Sequence, residues 1–166
     1  MPDKNNSLFG IGYPLKTGYN DAKNRELRRI INMIRYADEQ DFDVLKKYDK
    51  HIAAAELQKS MADKKVLIMF NNDTFNGWLR YNLFWDSIPF MNMLYLLEDF
   101  RGKGYGKQLV GFWEREMQSR QYKIVMTSTQ SDEQAQFFYR RMGYVDCGAL
   151  LLPNEPLEII LSKSLA

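Results

Sequence analysis

Arg101-Gly102-Lys103-Gly104-Tyr105-Gly106-Lys107 sets three cationic side chains and three glycines within seven residues. Residues of these types, so spaced, do one kind of chemistry well: they hold an anion. Glycines let successive backbone N–H groups converge without Cβ clashes, which makes a concave anion-binding nest. The cations add full charge, and each charge-assisted hydrogen bond to a phosphate contributes roughly 1.5–3 kcal/mol net.

Such a loop needs rigid elements on either side. Met93, Leu94, Tyr95, Leu96 and Leu97 form an apolar run that reads as a buried strand, and Glu98 and Asp99 turn the chain. After the loop, Leu109, Val110, Phe112, Trp113 and Met117 recur at helical spacing. The order strand, basic glycine loop, helix puts the loop at a helix N-terminus. Unpartnered N–H groups and the positive end of the helix dipole meet there and bind phosphate.

The spacing excludes two common phosphate loops. A GxGxxG dinucleotide fingerprint needs glycine at Lys107 or at Leu109, depending on where it starts. A P-loop ending at Gly106-Lys107 needs glycine at Arg101 and Ser or Thr at Gln108. What stands here is R-x-x-G-x-G, from Arg101 through Gly104 to Gly106. Preceded by a strand, it resembles the coenzyme A pyrophosphate loop of the GNAT superfamily of N-acetyltransferases. A glycine-rich turn carrying charge for solubility is the other reading of the loop by itself. The strand before it and the amphipathic helix after it favour the ligand site.

A second stretch agrees. Ala135 to Tyr144, AQFFYRRMGY, resembles the family's A-x-x-F-Y-x-x-x-G-[FY] helix and follows the next strand, as the family requires. The resemblance runs from about Arg28 to the C-terminus. Two positions depart from the family's habit: Glu98 stands where proline is common, and Asp132 where asparagine is common. The second puts in doubt any side-chain contact to the pantetheine arm from that position.

The rest of the chain reads as one domain. Residues 1–24 form an irregular lead-in, and residues 25–166 the folded body, which the resemblance makes an acyl-CoA-dependent N-acetyltransferase domain. Strands are expected at 28–36, 66–70, 74–85, from Pro89 to the glycine loop, at 123–129, 145–152 and 157–162. Helices are expected from Asp38 to Tyr48, from His51 to Ala62, from Gly106 to Gln118 and from Ser131 to Met142. Asn71-Asn72-Asp73 marks a turn. Ser131 and Gln134 have capping-box spacing, and Gly143 sits where a helix C-cap belongs. That order is an α/β fold, a GNAT-like mixed central sheet with helices on both faces.

Composition bounds the rest. The 166 residues suffice for one core, and 45% hydrophobic and 14% aromatic residues argue against disorder. A net charge of +2 gives no reason to expect nucleic acid. No apolar run reaches membrane-span length, and MPDKNNSLFG lacks a signal peptide's apolar core. One cysteine, Cys147, and one histidine, His51, suggest a reducing cytoplasm and no metal cluster.

The resemblance implies a reaction and roles. Acetyl-CoA would be the co-substrate and a primary amine the acceptor, attacking directly. The strand ending at Leu96-Leu97 would carry a bulge and lie along the thioester, with the backbone N–H near Leu96 facing the acetyl oxygen. Amides from Gly102 to Lys107, with Arg101, would hold the pyrophosphate. Tyr139 would deliver a proton to the coenzyme A sulfur. An aromatic on a packed helix face can equally be plain core. Asp86 is the candidate base, with Glu98 and Asp99 behind it. Asp86 follows Trp78, Tyr81, Phe84 and Trp85, which could line a cation-attracting amine pocket or be strand core. The hairpin near Asn71 and the Pro153–Pro156 linker could shape an acceptor pocket or a homodimer interface. A non-catalytic acyl-CoA sensor on the same scaffold is the alternative function, and an interaction module with a merely structural loop the third.

Overall fold

The computed structural model describes residues 34–71 and 74–165. The lead-in at 1–24, the 28–33 part of the expected first strand, and Asn72-Asp73 of the expected turn lie outside the described residues. The elements are β1 (Ile34–Tyr36), α1 (Phe42–Tyr48), α2 (Ala54–Ala62), β2 (Val66–Asn71), β3 (Thr74–Phe84), β4 (Ile88–Leu96), α3 (Tyr105–Ser119), β5 (Ile124–Gln130), α4 (Ala135–Arg141), β6 (Val145–Leu150) and β7 (Glu158–Ser164). They form one seven-stranded sheet in the order β1-β2-β3-β4-β5-β7-β6. Every pairing is antiparallel except β4 with β5. No helix among the described residues is long and apolar enough to cross a membrane.

Strand alternation divides the apolar residues between two cores. Leu67, Met69, Leu79, Met91, Val125 and Leu161 point to the face covered by α3 and α4. Val66, Ile68 and Trp78 point to the other face, where Leu45 of α1 and Leu57 and Met61 of α2 cover them. β2 therefore reads as a continuous apolar run because both of its faces are buried. The second core takes nothing from β5, β6 or β7 among the described residues. On that half of the sheet, the α1/α2 side carries no helical cover among the described residues.

The helices form for local reasons. α3 carries Leu109, Val110, Trp113 and Met117 on one stripe, all fully buried. Each such side chain contributes about 1.5–3 kcal/mol relative to exposure. Gly104 precedes the helix at φ +84°, a conformation that favours glycine. Ahead of α1, Asp41 accepts both guanidinium nitrogens of Arg35, at 2.6 and 2.8 Å. Gly143 ends α4 at φ +88°, as its position predicts. The Ser131–Gln134 capping box does not form, and α4 starts only at Ala135. Glu133 takes over the turn instead, accepting Thr129 Oγ1 at 2.7 Å and Gln130 N at 3.3 Å.

One joint in the sheet is short. β3 and β4 pair from Gly77↔Leu96 to Phe84↔Ile88, whereas β4 and β5 pair only at Phe90↔Met126 and Met91↔Thr127. Thr127 Oγ1 donates to Met91 O at 3.0 Å and braces that last rung. Beyond it the two strands separate.

Candidate active site

The separation of β4 from β5 opens a cleft of about 770 Å³. Its walls are Asn92 to Tyr95 on one side and Thr127 to Gln130 on the other. Which backbone groups face it follows from one residue. The β3–β4 register passes from Arg80↔Met93 to Tyr81↔Met91, so Asn92 is an extra residue on β4, a bulge. Met91 O points toward β5, where Thr127 meets it. Without the bulge, residues 93, 95 and 97 would share that direction. With it, the parity flips. Leu97 N donates back to Asn76 O of β3 at 2.8 Å, and Leu96 O faces the cleft, where Arg101 Nε reaches it at 2.9 Å. Alternation then turns the N–H groups of Leu96 and Leu94 into the cleft.

The strand carries the expected bulge, at Asn92. Leu96 presents its amide to the cleft as expected, whereas Leu97 does not, because Asn76 holds it. Leu94, which local sequence did not single out, presents a second amide deeper in the cleft. Arg101 is also partly committed: besides Leu96 O, its guanidinium lies 5.1 Å over the Tyr95 ring. It ties the loop to the strand.

The glycine loop stands at the α3/α4 end of the cleft, where a Cβ on Gly106 would come within 3.5 Å of the Phe138 ring and 3.6 Å of Leu96 Cδ1. Gly102 and Gly104 face open space. The first helical amide with a backbone acceptor here is Gln108, on Gly104 O at 3.1 Å. Those of Tyr105, Gly106 and Lys107 belong to the first helical turn, where helical geometry supplies no partner. Lys103 and Lys107 are exposed. Open backbone, amides that are free among the described residues and two cations fit a pyrophosphate. Tyr105 has only its amide to offer, since its hydroxyl is held by Asn71 Nδ2 at 3.1 Å.

Tyr139 lines the same cleft and is 6% exposed. Burial pushes its phenol up to about 12, and a hydrogen bond with Thr127 works in the opposite direction. The hydroxyl is therefore protonated at neutral pH. It can donate a hydrogen bond and cannot serve as a base there.

Asp86 does not come to this place. It sits exposed in the β3–β4 turn at φ +59°, six residues before the bulge, roughly 20 Å away at strand rise. The expected amine pocket around it dissolves too. Trp78 is core on the α1/α2 face, Tyr81 is core on the other, and Phe84 and Trp85 are exposed near the hairpin turn. Glu98 and Asp99 lie exposed on a 3-10 turn (Glu98–Phe100).

The cleft passes through the sheet. Leu94, Leu96, Thr127, Thr129 and Tyr139 lie toward α3 and α4, as membership of the first core and strand alternation require. Met93 packs with the α1/α2 core, and Tyr95 lies against Trp78 with ring centroids 4.8 Å apart. Ser128, Gln130 and Glu158 share that second side. His51, from the loop between α1 and α2, also lines the cleft.

The family model for the acetyltransferase (GNAT) family matches residues 25–144. No curated protein matches in sequence. Among solved structures, an acetyltransferase of the GNAT family from Bacillus cereus is 20% identical with a TM-score of 0.65, over 79% of this chain and 95% of that one. A ribosomal-protein-alanine N-acetyltransferase from Brucella melitensis is 16% identical with a TM-score of 0.68, over 80% and 99%. The PaiA N-acetyltransferase from Thermoplasma acidophilum, in complex with coenzyme A, is 16% identical with a TM-score of 0.65, over 79% and 97%. At these identities the likeness is one of fold.

Proposed function

This chain belongs to the acetyltransferase (GNAT) family, and from that membership we propose that it moves the acetyl group of acetyl-CoA to a primary amine by direct attack within the slot between β4 and β5. The observation that carries this is the two-sided slot itself. Its α3/α4 face offers free amides and cations for a diphosphate, while its other face, uncovered among the described residues, can admit a second reactant.

The Gly102–Lys107 amides hold the diphosphate at the start of α3. From there a pantetheine arm runs along the free edge of β4, where Leu94 and Leu96 present N–H groups. Acetyl-CoA supplies the activated thioester. The amide of Leu94 or Leu96 polarises its carbonyl, and preorganised donors of this kind are worth about 2.7–4 kcal/mol each where they have been removed. The amine nitrogen bonds to the carbonyl carbon, the C–S bond breaks, and the amine gives up a proton. Tyr139 faces the sulfur. Full transfer from a phenol near 12 to a thiolate whose acid ordinarily titrates near about 8.5 is uphill by about 5 kcal/mol. Tyr139 therefore acts first as a hydrogen-bond donor that steadies the departing sulfur, and the transfer completes as a proton is resupplied.

Calorimetry and turnover test the reading together. Coenzyme A should bind with the loop intact. Tyr139→Phe should keep that affinity and lower turnover tenfold or more, in the range of general-acid effects. Lack of coenzyme A binding at millimolar concentration overturns the proposal, and unchanged turnover removes Tyr139 from it.

A further inference from the structure

The two mouths of the slot differ in chemistry. Toward α3 and α4 stand the glycine loop and a neutral phenol. Toward α1 and α2 stand an imidazole and a carboxylate, His51 and Glu158, one on each side of the opening. Neither is there by local pattern. Asp49, fully buried, holds the segment that carries His51. Its carboxylate accepts Arg80 Nε at 3.0 Å, Trp78 Nε1 at 3.2 Å and His51 N at 3.2 Å. Those bonds pin the end of α1 onto β3, beside β4. Glu158 begins β7 opposite Gln130, and alternation turns it away from Ile159 and Leu161 of the α3/α4 core.

Resting on the acetyl-transfer reading above, we propose that His51 takes the proton of the acceptor amine, and that Glu158 on the facing wall holds the amine's positive charge as it arrives. The acceptor is then a cationic primary amine entering from the α1/α2 side. The other ionisable groups around this mouth are poorly suited to the task. Asp49 is spent on three donors, and Arg80 is paired with it. Glu133 is bound to Thr129 and Gln130 on the α4 side. Tyr139 is protonated, Tyr95 lies against Trp78, and Arg101 is a cation. Glu158 has no hydrogen-bond or ion-pair partner for its carboxylate among the described residues. Imidazole is the side chain suited to exchanging protons near neutrality.

The protons balance. The cationic amine first sheds one proton to solvent; then the N–C bond forms, the C–S bond breaks, the second amine proton passes to a ring nitrogen of His51, and the sulfur takes its proton from Tyr139. Solvent returns the proton from His51 to Tyr139. The arrangement also bears on acceptor class. An α-amino group titrates near about 8 and an alkyl amine near about 10.4. At pH 7 roughly one α-amine in ten is already neutral, against roughly one alkyl amine in a few thousand. An imidazole base serves the first far better, so unblocked peptides should outpace alkylamines.

His51 is the only histidine, so its ring signals are unique in the spectrum of the full chain. Coenzyme A alone should leave them nearly unmoved. A bisubstrate probe, coenzyme A joined through its sulfur and an acetyl bridge to n-butylamine, should shift them and protect the ring from diethyl pyrocarbonate. On a panel of unblocked tetrapeptides and alkylamines, His51→Gln should lower kcat tenfold or more and flatten the acidic limb of its pH profile. Glu158→Gln should raise KM for the amine severalfold with kcat and coenzyme A affinity within twofold of the parent. A bound bisubstrate probe that leaves the ring untouched overturns the proposal while sparing the family reading, and so does an unaltered acidic limb in His51→Gln. If coenzyme A does not bind, both fall. If no panel amine is turned over, the ring shift decides.

Discussion

The sheet is two unequal halves. β1 to β4 are joined by long antiparallel ladders, and helices cover both faces of that half. Among the described residues, β5, β7 and β6 are covered by helices on the α3/α4 side only, and every residue of β6 is exposed. The halves meet at two rungs and one threonine hydroxyl. The difference teaches where a sheet can afford an opening. Stability is concentrated on one side of the slot, so the joint can remain short and the other half can present polar and titratable side chains.

The largest test of that imbalance is Asp49→Ala. It strands Arg80, 12% exposed, without its carboxylate and should cost about 3–5 kcal/mol by urea denaturation. A cost below about 1 kcal/mol would mean that the well-covered half does not depend on this anchor. Gly77→Ala comes next. A Cβ there would lie 2.2 Å from Tyr95 O and 2.8 Å from Leu96 Cδ2, so β4 must shift away from β3. We expect a loss of about 1–3 kcal/mol, with weakened coenzyme A binding, since the strand that moves is the slot wall. Thr127→Val removes the hydroxyl at the joint. It should cost about 1 kcal/mol and speed hydrogen exchange near Met91 more than within β3.

The smallest effect separates two matching ion pairs. Arg35–Asp41 lies in the first half, with the Asp41 side chain 6% exposed, and Arg140–Asp146 in the second, with Asp146 54% exposed. Burial is the largest single influence on the Asp41 carboxyl and raises it, but the Arg35 hydrogen bonds, the Asp38 amide and the Arg35 charge together outweigh it and leave the group below the ordinary carboxylate range. Asp146 is lowered chiefly by its Arg140 hydrogen bond. A lowered folded value means stability that is present above the unfolded value, near about 3.9, and lost as pH falls through the folded one. Arg35 is 40% exposed, so the Asp41 share should stay below about 1 kcal/mol. Below pH 4, Asp41→Asn should flatten acid unfolding even at 1 M salt, while Asp146→Asn should change nothing there. Equal salt sensitivity in the two variants would count against the contrast.

What local sequence made legible was whatever local geometry controls. The glycine loop, the apolar stripe of α3, the C-cap at Gly143 and the order of the elements all follow from neighbours within a turn or a strand. Leu94 and Leu97 were not legible as they stand, because one bulged residue sets which amides face the slot, and Asn92 carries no signature of a bulge. Asp86 looked close to the chemistry because it follows an aromatic run that could have lined an amine pocket, but those rings part to different faces and strand rise carries Asp86 to the wrong end. Ser131 lost its cap to Glu133, a competition between two nearby oxygens that spacing does not decide. His51 stood only at the start of an expected helix, which begins instead at Ala54, and no motif marked it. Its position follows from Asp49 reaching across to β3, a long-range contact.

On the acetyl-transfer reading proposed above, an aperture piercing the sheet would give each reactant a private doorway. Neither would have to queue behind the other, so either arrival order would assemble the productive pair, and each spent molecule would back out the way it came. The same layout would set a trap: a lingering carrier at one door would leave the far door ajar, and the next acceptor would walk into a dead end.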